Sequence, residues 1–241
     1  MSISTPTAAK AALVLALVAA FAATASASET IRTLGPVIGN GTEGSRENPC
    51  PPSALMLNAD ATLENAYGWA YGGVALPDYG SVAERYSADG TVCGIELFLS
   101  TLPGYFQDQS MDLYIWDSDG QFPNNVLAVS TGVHISTPDF WPAVSTFDLP
   151  LQETEVSGEF FIGYWGNWPG QLLGWYIAAD IDGPGGYPVT KVAPGIGLPT
   201  GWIEVPRVWG TTQALGIGAW ISGIPNPAER TSWGAIKGLY K

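Results

Sequence analysis

Apolar and polar residues alternate in short runs between about residue 67 and residue 221, and Gly or Pro interrupts these runs roughly every ten residues. Alternation with a period of two is typical of β-strands, because successive side chains of a strand point to opposite faces. The runs predict strands at residues 92–100, 111–116, 126–133, 159–165, 174–179, 206–209 and 214–221. No run after the N-terminal segment has the 3.6-residue period of a helix. The predicted fold class is therefore all-β: an antiparallel β-sandwich or jelly roll in a single domain.

The N-terminal segment has the composition of a secretory signal peptide. Lys10 is followed by an unbroken apolar run at residues 11–23, and small residues end the segment at Ala27. This run is shorter than the roughly 20 residues that a membrane-spanning helix needs. We expect Sec-type export with cleavage after Ala27, and an extracellular or cell-surface location. No later run reaches spanning length without Gly, Pro or a charge, so we expect no transmembrane segment in the mature chain.

Composition divides the remaining chain into three parts. Residues 28–63 are rich in turn-forming residues and are expected to form an extended, Gly- and Pro-rich lead-in. Residues 64–221 are expected to form the sandwich domain. Residues 222–241 are expected to be a linker and a C-terminal tail, which is basic from Arg230 onward. Two interpretations of the tail stay open: a frayed terminus, and a recognition tag read by an export or surface-attachment system.

The chain contains two cysteines, Cys50 and Cys93. An even number of cysteines in an exported chain is most simply explained by a disulfide. Cys93 is in phase with the apolar positions of its predicted strand, so we expect it on the core side. The bond would tie the lead-in to the sandwich and, in the chain-entropy model, stabilise the fold by about 4 kcal/mol.

Charge narrows the range of partners. The full chain has a net charge of −13, without a long acidic run. Nucleic acids and anionic membranes are bound through Lys and Arg, so neither is an expected partner. A polysaccharide or a cell-surface protein remains possible as a partner on this criterion.

Catalytic motifs are scarce. His134 is the single histidine, and no G-x-S-x-G or zinc-binding spacing accompanies it, so a surface histidine is the simpler interpretation. Glycoside hydrolysis needs two carboxylates, for which Glu96 and Glu159 lie in predicted strands. Solvated glutamates on a sheet face are more common than catalytic ones. We therefore expect no catalytic residues, with a carboxylate-dependent glycosidase as an alternative.

Two acidic segments have a spacing that suits calcium. Asp117 and Asp119 precede a Gly, and Asp180 and Asp182 repeat the pattern. Carboxylate oxygens are ligands that Ca²⁺ prefers, although the glutamate that completes an EF-hand loop is missing here. Asp-Gly is equally favoured in hairpin turns. Turn chemistry without a cofactor is the first interpretation, and calcium bound by Asp117 and Asp119 is the second.

Aromatic residues are the strongest feature of the composition: ten Trp, ten Tyr and eight Phe. Alternation places several of these rings opposite the apolar face of their strands. Exposed rings on a rigid sheet offer a stacking surface for sugars or an anchor for a protein. The candidate ligand-binding residues are Trp116, Trp165, Trp168, Trp175 and Tyr176. The alternative is that both sheet faces are covered and the rings belong to cores.

Several short motifs carry a resemblance. They are Ala-Glu-Arg-Tyr at 83–86, Val-Cys-Gly-Ile-Glu at 92–96, Met-Asp-Leu-Tyr-Ile-Trp-Asp at 111–117, Phe-Ile-Gly-Tyr-Trp at 161–165 and Thr-Ser-Trp-Gly at 231–234. With these motifs the chain resembles secreted bacterial β-sandwich, jelly-roll-like proteins that end in a short T-S-W-G tail and whose function is not known. The resemblance implies a fold and an extracellular destination, and no activity.

The function expected from the sequence is a secreted or cell-surface, non-catalytic β-sandwich module that binds extracellular carbohydrate through aromatic residues. The first alternative is a structural envelope protein without a ligand, whose aromatic residues are core. The second is the glycosidase. Exposure of the rings separates the first two, and a facing pair of carboxyl groups in a cleft would support the third.

Overall fold

The computed structural model describes residues 29–32, 48–60, 62–69, 78–104, 110–166 and 175–223. The predicted signal peptide, the C-terminal tail and Trp168 lie outside these residues. The described chain is all-β with two antiparallel sheets, which confirms the predicted sandwich. The described ranges contain no helix with the length and hydrophobicity that spanning a bilayer requires.

The elements follow one another in this order: β1 (Glu29–Arg32), β2 (Ser53–Leu57), β3 (Asn65–Gly68), β4 (Val82–Ser87), β5 (Gly90–Ser100), β6 (Ser110–Ser118), β7 (Pro123–His134), β8 (Ser145–Val156), β9 (Glu159–Gly166), β10 (Tyr176–Asp180), β11 (Pro188–Val192), β12 (Gly201–Glu204), α1 (Pro206–Trp209), β13 (Ala214–Leu215) and β14 (Ile217–Ser222). One sheet has eight strands in the order β1-β3-β10-β5-β14-β2, with β13 beside β10 and β8 beside β5. The other has six strands in the order β12-β11-β4-β9-β6-β7.

The main core lies between the two sheets. Alternation works as expected: Leu97 of β5, Leu113 of β6 and Ile162 of β9 are all 0% exposed and belong to one apolar cluster. Burying such side chains supplies the main driving force for folding. Alternate positions of each strand therefore point to an inner or an outer face. The residues of the outer face are not part of the main core.

The predicted disulfide is present. Cys50 and Cys93 are bonded, with their Cα atoms 6.0 Å apart, and Cys93 is 2% exposed. Opposite the consecutive residues Trp220 and Ile221 of β14, β5 has one extra residue between Gly94 and Val92, and Val92 rather than Cys93 belongs to the main core cluster. Pro49 packs against Gly94, where an added Cβ would lie 2.5 Å from its Cγ. The cystine thus fastens the lead-in against β5.

The predicted strand at residues 206–209 is wrong, because this segment is the short helix α1. Pro206 occupies the first turn, where its missing N–H is not needed. The turn directs Trp209 into the core, where its ring stacks on Tyr67 at 4.9 Å with an interplanar angle of 5°. Packing of this indole therefore decides the local conformation.

Strand β7 is irregular along its pairing with β6. The register shifts between Met111 and Leu113, between Ile115 and Trp116, and between Trp116 and Ser118. At each place β7 contains one more residue than β6, which is the geometry of a β-bulge. Gly132 lies at one of them with φ +66°, and its N–H donates to Asp112 Oδ1 at 2.8 Å.

Candidate functional site

The outer face of the six-stranded sheet carries a second apolar group, which we call the outer aromatic cluster. Its buried members are Ala83, Trp116, Phe161 and Val189, and its partly buried members are Tyr114, Phe122, Tyr187 and Trp202. These residues come from strands β4, β6, β9, β11 and β12 and the segments beside them. The sandwich therefore has aromatic packing on one outer surface in addition to its main core.

The rings of this cluster meet over the middle strands. Tyr114 stacks on Trp116 with centroids 4.9 Å apart and an interplanar angle of 9°, and Trp202 meets Trp116 edge-on at 5.3 Å. Trp116 and Trp202 belong to β6 and β12, which are separated by three strands. In a flat sheet their backbones would be about 19 Å apart, given a strand spacing of about 4.8 Å. The contact between the rings therefore means that this face is concave.

Small residues form the floor of the concave face. Gly163 of β9 lies between Ala83 of β4 and Tyr114 of β6 in the sheet register. A Cβ on Gly163 would collide with Val82 O and would lie 2.7 Å from Ala83 Cα. The absence of side-chain bulk here leaves room for the large rings to lie over the sheet.

Cations lie against two rings of the cluster, Tyr187 and Trp202, and against the neighbouring Tyr79. The Arg85 guanidinium is 4.1 Å from the Tyr187 ring centroid, and it pairs with Glu159 at 3.4 Å. Lys191 Nζ is 5.6 Å from the Tyr79 ring and 5.8 Å from the Trp202 ring. Such distances are within the range of cation–π attraction. The rings are thus fixed by polar as well as apolar contacts.

Carboxylates near the rings form ion pairs with cations and affect the pKa of Tyr114. Lys191 forms an ion pair with Asp78, and Arg207 pairs with Glu204 at 3.4 Å. Burial, with the nearby charges of Asp112 and Asp78, raises the pKa of Tyr114 to about 12. The Tyr114 hydroxyl therefore stays protonated at any physiological pH and can donate a hydrogen bond.

The exposure expected for two predicted binding residues is wrong. Trp116 is 1% exposed and Trp165 is 8% exposed. Both lie on the predicted outer face, but Trp116 is covered by Tyr114 and Trp202, and Trp165 donates through Nε1 to Tyr79 O at 3.0 Å. Neither indole offers a free ring face, so Trp116 supports the partly exposed rings from below.

The expected exposure of Trp175 and Tyr176 is also wrong. Trp175 is 1% exposed and belongs to the main core between the sheets, and Tyr176 is 0% exposed on the eight-stranded sheet beside Ala66. Trp175 directly precedes β10 and Tyr176 begins it, so the two side chains point to opposite faces of the sheet, and both faces are covered. A binding role for Trp168 stays a prediction, since this residue lies outside the described part of the chain.

The carboxylates of Asp117 and Asp119 hold the turn between β6 and β7. Asp117 accepts hydrogen bonds from Asn125 N and Nδ2 at 2.6 and 2.9 Å. Asp119 Oδ1 accepts from Gln121 N and Phe122 N at 2.8 and 2.6 Å, which lowers the pKa of Asp119. These bonds are those of turn chemistry. Calcium at this turn stays a prediction.

The second acidic segment lies beside a third carboxylate. Ligand oxygens of Asp60, Asp180 and Asp182 lie within 4.8 Å of one another, a distance that suits a shared cation. Asp180 is fully buried, and its oxygens accept hydrogen bonds from Asp60 N, Asp182 N and Gly183 N. The three carboxylates have the oxygen atoms that a hard cation would need. The hydrogen bonds of Asp180 to backbone N–H groups also give it a structural role, because they hold the two loops together.

The residues considered for catalysis are not brought together. Glu96 is fully buried on β5 of the eight-stranded sheet, whereas Glu159 begins β9 of the six-stranded sheet and pairs with Arg85. The sandwich core lies between the two sheets, so these carboxylates do not form a facing pair. His134 is exposed at the end of β7, as its surface interpretation predicted.

Residues central to the outer face were missed as binding candidates. Lys191 and Trp202 come from the short strands β11 and β12, and Tyr187 directly precedes β11. Arg85 was noted only as part of a motif. The alternation of Trp202 and Glu204 around buried Ile203 is a signal that could have identified β12. Comparison with protein-family models, curated proteins and solved structures gives no match to this chain.

Proposed function

We propose that this protein is an exported, non-catalytic module that binds extracellular carbohydrate on the concave outer face of its six-stranded sheet. The observation that carries the proposal is the placement of Tyr114 and Trp202 around buried Trp116 on that face. Both outer rings are partly exposed and both are backed by a packed indole.

Ring geometry supports a sugar as the ligand. The C–H face of a pyranose packs against a flat aromatic ring, and aromatic residues dominate binding energy where they are held in packed surroundings. Tyr114 is already stacked at 4.9 Å on Trp116, so little side-chain freedom remains to be lost on binding. Preorganisation of this kind improves affinity without further contacts.

Polar groups beside the rings suit a ligand that is rich in hydroxyl groups. Lys191 and Asp78 form a partly exposed ion pair near Trp202 and Tyr114. A cation donates and a carboxylate accepts charge-assisted hydrogen bonds, so the pair can serve neighbouring hydroxyls on one sugar. The Tyr114 hydroxyl adds a third polar group.

Two features support action outside the cytoplasm. The sequence at residues 1–27 has the order of charge, apolar run and small residues that is typical of export. The Cys50–Cys93 bond belongs to an oxidising compartment. A binding module located there would meet polysaccharides of a cell surface or matrix.

The test is a glycan array probed with the mature protein, followed by titration of each bound glycan with tryptophan fluorescence as the readout. We expect Tyr114→Ala and Trp202→Ala to weaken binding at least tenfold, equivalent to about 1.4 kcal/mol. The matched control is Phe140→Ala, which removes a 48% exposed ring outside the cluster and should leave affinity unchanged.

Circular dichroism and thermal unfolding of each variant establish that the fold is retained. Glycan binding that survives loss of both rings would contradict the proposed face. A blank array across neutral and charged glycans would contradict the carbohydrate ligand and favour a structural envelope protein.

A further inference from the structure

Cations are concentrated on the outer face of the six-stranded sheet. The structure describes three Lys or Arg side chains beyond residue 32, namely Arg85, Lys191 and Arg207, and each lies at or beside the outer aromatic cluster. This placement stands out in a chain with a net charge of −13. On its own it would suggest an acidic ligand.

Each of these cations is already matched by a carboxylate of the chain. Lys191 pairs with Asp78, Arg85 with Glu159 at 3.4 Å, and Arg207 with Glu204 at 3.4 Å. The Lys191–Asp78 pair is the most enclosed, with side chains 22% and 13% exposed. The paired positive and negative charges cancel across the face.

A fourth carboxylate lies on the same face. Asp112 is 6% exposed, and its Oδ1 accepts the Gly132 N–H at 2.8 Å. It adds negative rather than positive charge near Tyr114. The face is therefore close to neutral, with a small excess of carboxylates, and lies on a strongly acidic molecule.

The near-neutral charge of this face favours neutral glycans over acidic ones. An acidic sugar would have to displace an internal carboxylate from its cation while approaching a molecule of the same sign of charge. Neutral hydroxyls can bond to both members of an ion pair without breaking it. The arrangement thus favours uncharged sugars.

Resting on the proposed function, we infer that the ligand is a neutral polysaccharide and that Asp78, Glu159 and Glu204 are specificity-determining residues that exclude acidic glycans by occupying the cations. Asp78 has the largest part in this exclusion, because it pairs with Lys191, whose Nζ lies 5.8 Å from the Trp202 ring. Stacking provides the attraction and the carboxylates provide the discrimination.

The experiment compares two sets of probes of equal length: neutral hexasaccharides of glucose, mannose or xylose, and oligogalacturonate. Calorimetric titration at about 20 mM and about 300 mM NaCl separates screened charge interactions from stacking and hydrogen bonding. We expect a neutral probe to bind at least about tenfold more tightly than oligogalacturonate, with less than about a twofold change between the two salt concentrations.

Asp78→Asn tests the role of the carboxylate directly. Asp78 has φ 50°, a conformation that Asn adopts readily, so the backbone should tolerate the change. The variant leaves Lys191 without its counter-charge and removes the charged acceptor that a sugar hydroxyl would use, so we expect oligogalacturonate binding at low salt to rise at least about fivefold while neutral binding falls. Glu153→Gln, an equal charge change on β8 of the other sheet, should have neither effect.

The outcomes are distinguishable. Preference of the unmodified protein for oligogalacturonate, or an Asp78→Asn variant that binds it no better than Glu153→Gln does, would overturn the inference and leave the carbohydrate proposal standing. Failure of all probes and of the wider array would contradict the proposed function itself.

Discussion

Glu84 is a single residue that joins several segments. It lies on β4 and is 0% exposed. Its Oε1 accepts hydrogen bonds from Asn58 Nδ2 at 3.0 Å and Tyr187 N at 2.6 Å, and its Oε2 accepts from Leu215 N at 3.0 Å. Burial raises the pKa of Glu84 to about 7, although the hydrogen bonds oppose this effect. Glu84 thus holds the start of β11 and the edge of the opposite sheet in place.

The raised pKa of Glu84 makes stability depend on pH. The unfolded carboxyl ionises near 4.5, whereas the folded one keeps its proton until about pH 7. Its contribution to the free energy of unfolding is therefore largest below pH 4.5 and falls as the pH rises to 7, by about 3 kcal/mol. Urea unfolding at several pH values measures this decline.

Glu84→Gln is the informative variant, because a glutamine side chain cannot ionise. Its amide NH2 group also replaces the oxygen that accepts the hydrogen bond from Leu215 N. We expect the variant to be less stable than the wild type at pH 5, with the difference shrinking toward pH 8. Glu159→Gln, on the surface, is the control. Parallel stability curves for the wild type and Glu84→Gln across this range would show that Glu84 does not titrate as expected.

Side-chain phase could be predicted from the sequence, but exposure could not. Alternation correctly placed Tyr114 and Trp116 on the face opposite Leu113. It could not show that Trp116 is covered, because its neighbours Trp202 and Ala83 come from distant parts of the chain. A residue on an outer face is exposed only if nothing packs on it, and that depends on tertiary contacts.

The pair of strands β6 and β7 shows how unevenly one hairpin contributes to stability. Leu113 of β6 is fully buried in the main core, whereas Leu127 of β7 is 44% exposed. We expect Leu113→Ala to lower the free energy of unfolding by about 3 kcal/mol. Leu127→Ala should change it by less than about 0.5 kcal/mol. Denaturant unfolding of the two variants makes the comparison, and equal losses would mean that β7 packs in a different register.

Strands with regular alternation were predictable, including the edge strand β7, whereas a strand interrupted by Pro and several charges was not. The predicted segment at residues 92–100 corresponds closely to β5 (Gly90–Ser100). Strand β8 was missed because Pro150 and three carboxylates resemble a loop in the sequence. In the described sheet β8 pairs only with β5, and an edge strand tolerates a proline that lacks an N–H. The prediction of a strand at residues 206–209 was wrong for another reason, because this segment forms one turn of helix that buries Trp209.

The cystine is expected to affect the stability of the whole molecule. The bonded residues are 43 positions apart, and closing such a loop restricts the unfolded chain. We expect the double variant Cys50→Ser, Cys93→Ser to lose about 4 kcal/mol of unfolding free energy. Denaturant unfolding with and without a reducing agent gives the value. A loss below about 1 kcal/mol would show that the lead-in stays ordered without the bond.

The fold class could be predicted at the level of the whole molecule, whereas the location of the candidate site could not. Turn spacing and alternation are sufficient to identify a sandwich. The concave face, however, depends on the strand order β12-β11-β4-β9-β6, in which Trp202, Arg85 and Tyr114 come from remote segments. No local pattern encodes which strands become neighbours, because that choice is made by the packing of the complete core.

The β-bulges of β7 affect the tendency of this protein to aggregate through its sheet edge. Among the described strands β7 has one neighbour, and Val126, Leu127 and Val129 are exposed along it without any charge nearby in the sequence. A straight apolar border of this kind would seed fibrils. The repeated β-bulges interrupt the regular spacing of the unpaired N–H and C=O groups of β7. A strand of another molecule therefore cannot form a continuous ladder of hydrogen bonds with it. We therefore expect copies of this protein not to pair along β7 at high concentration.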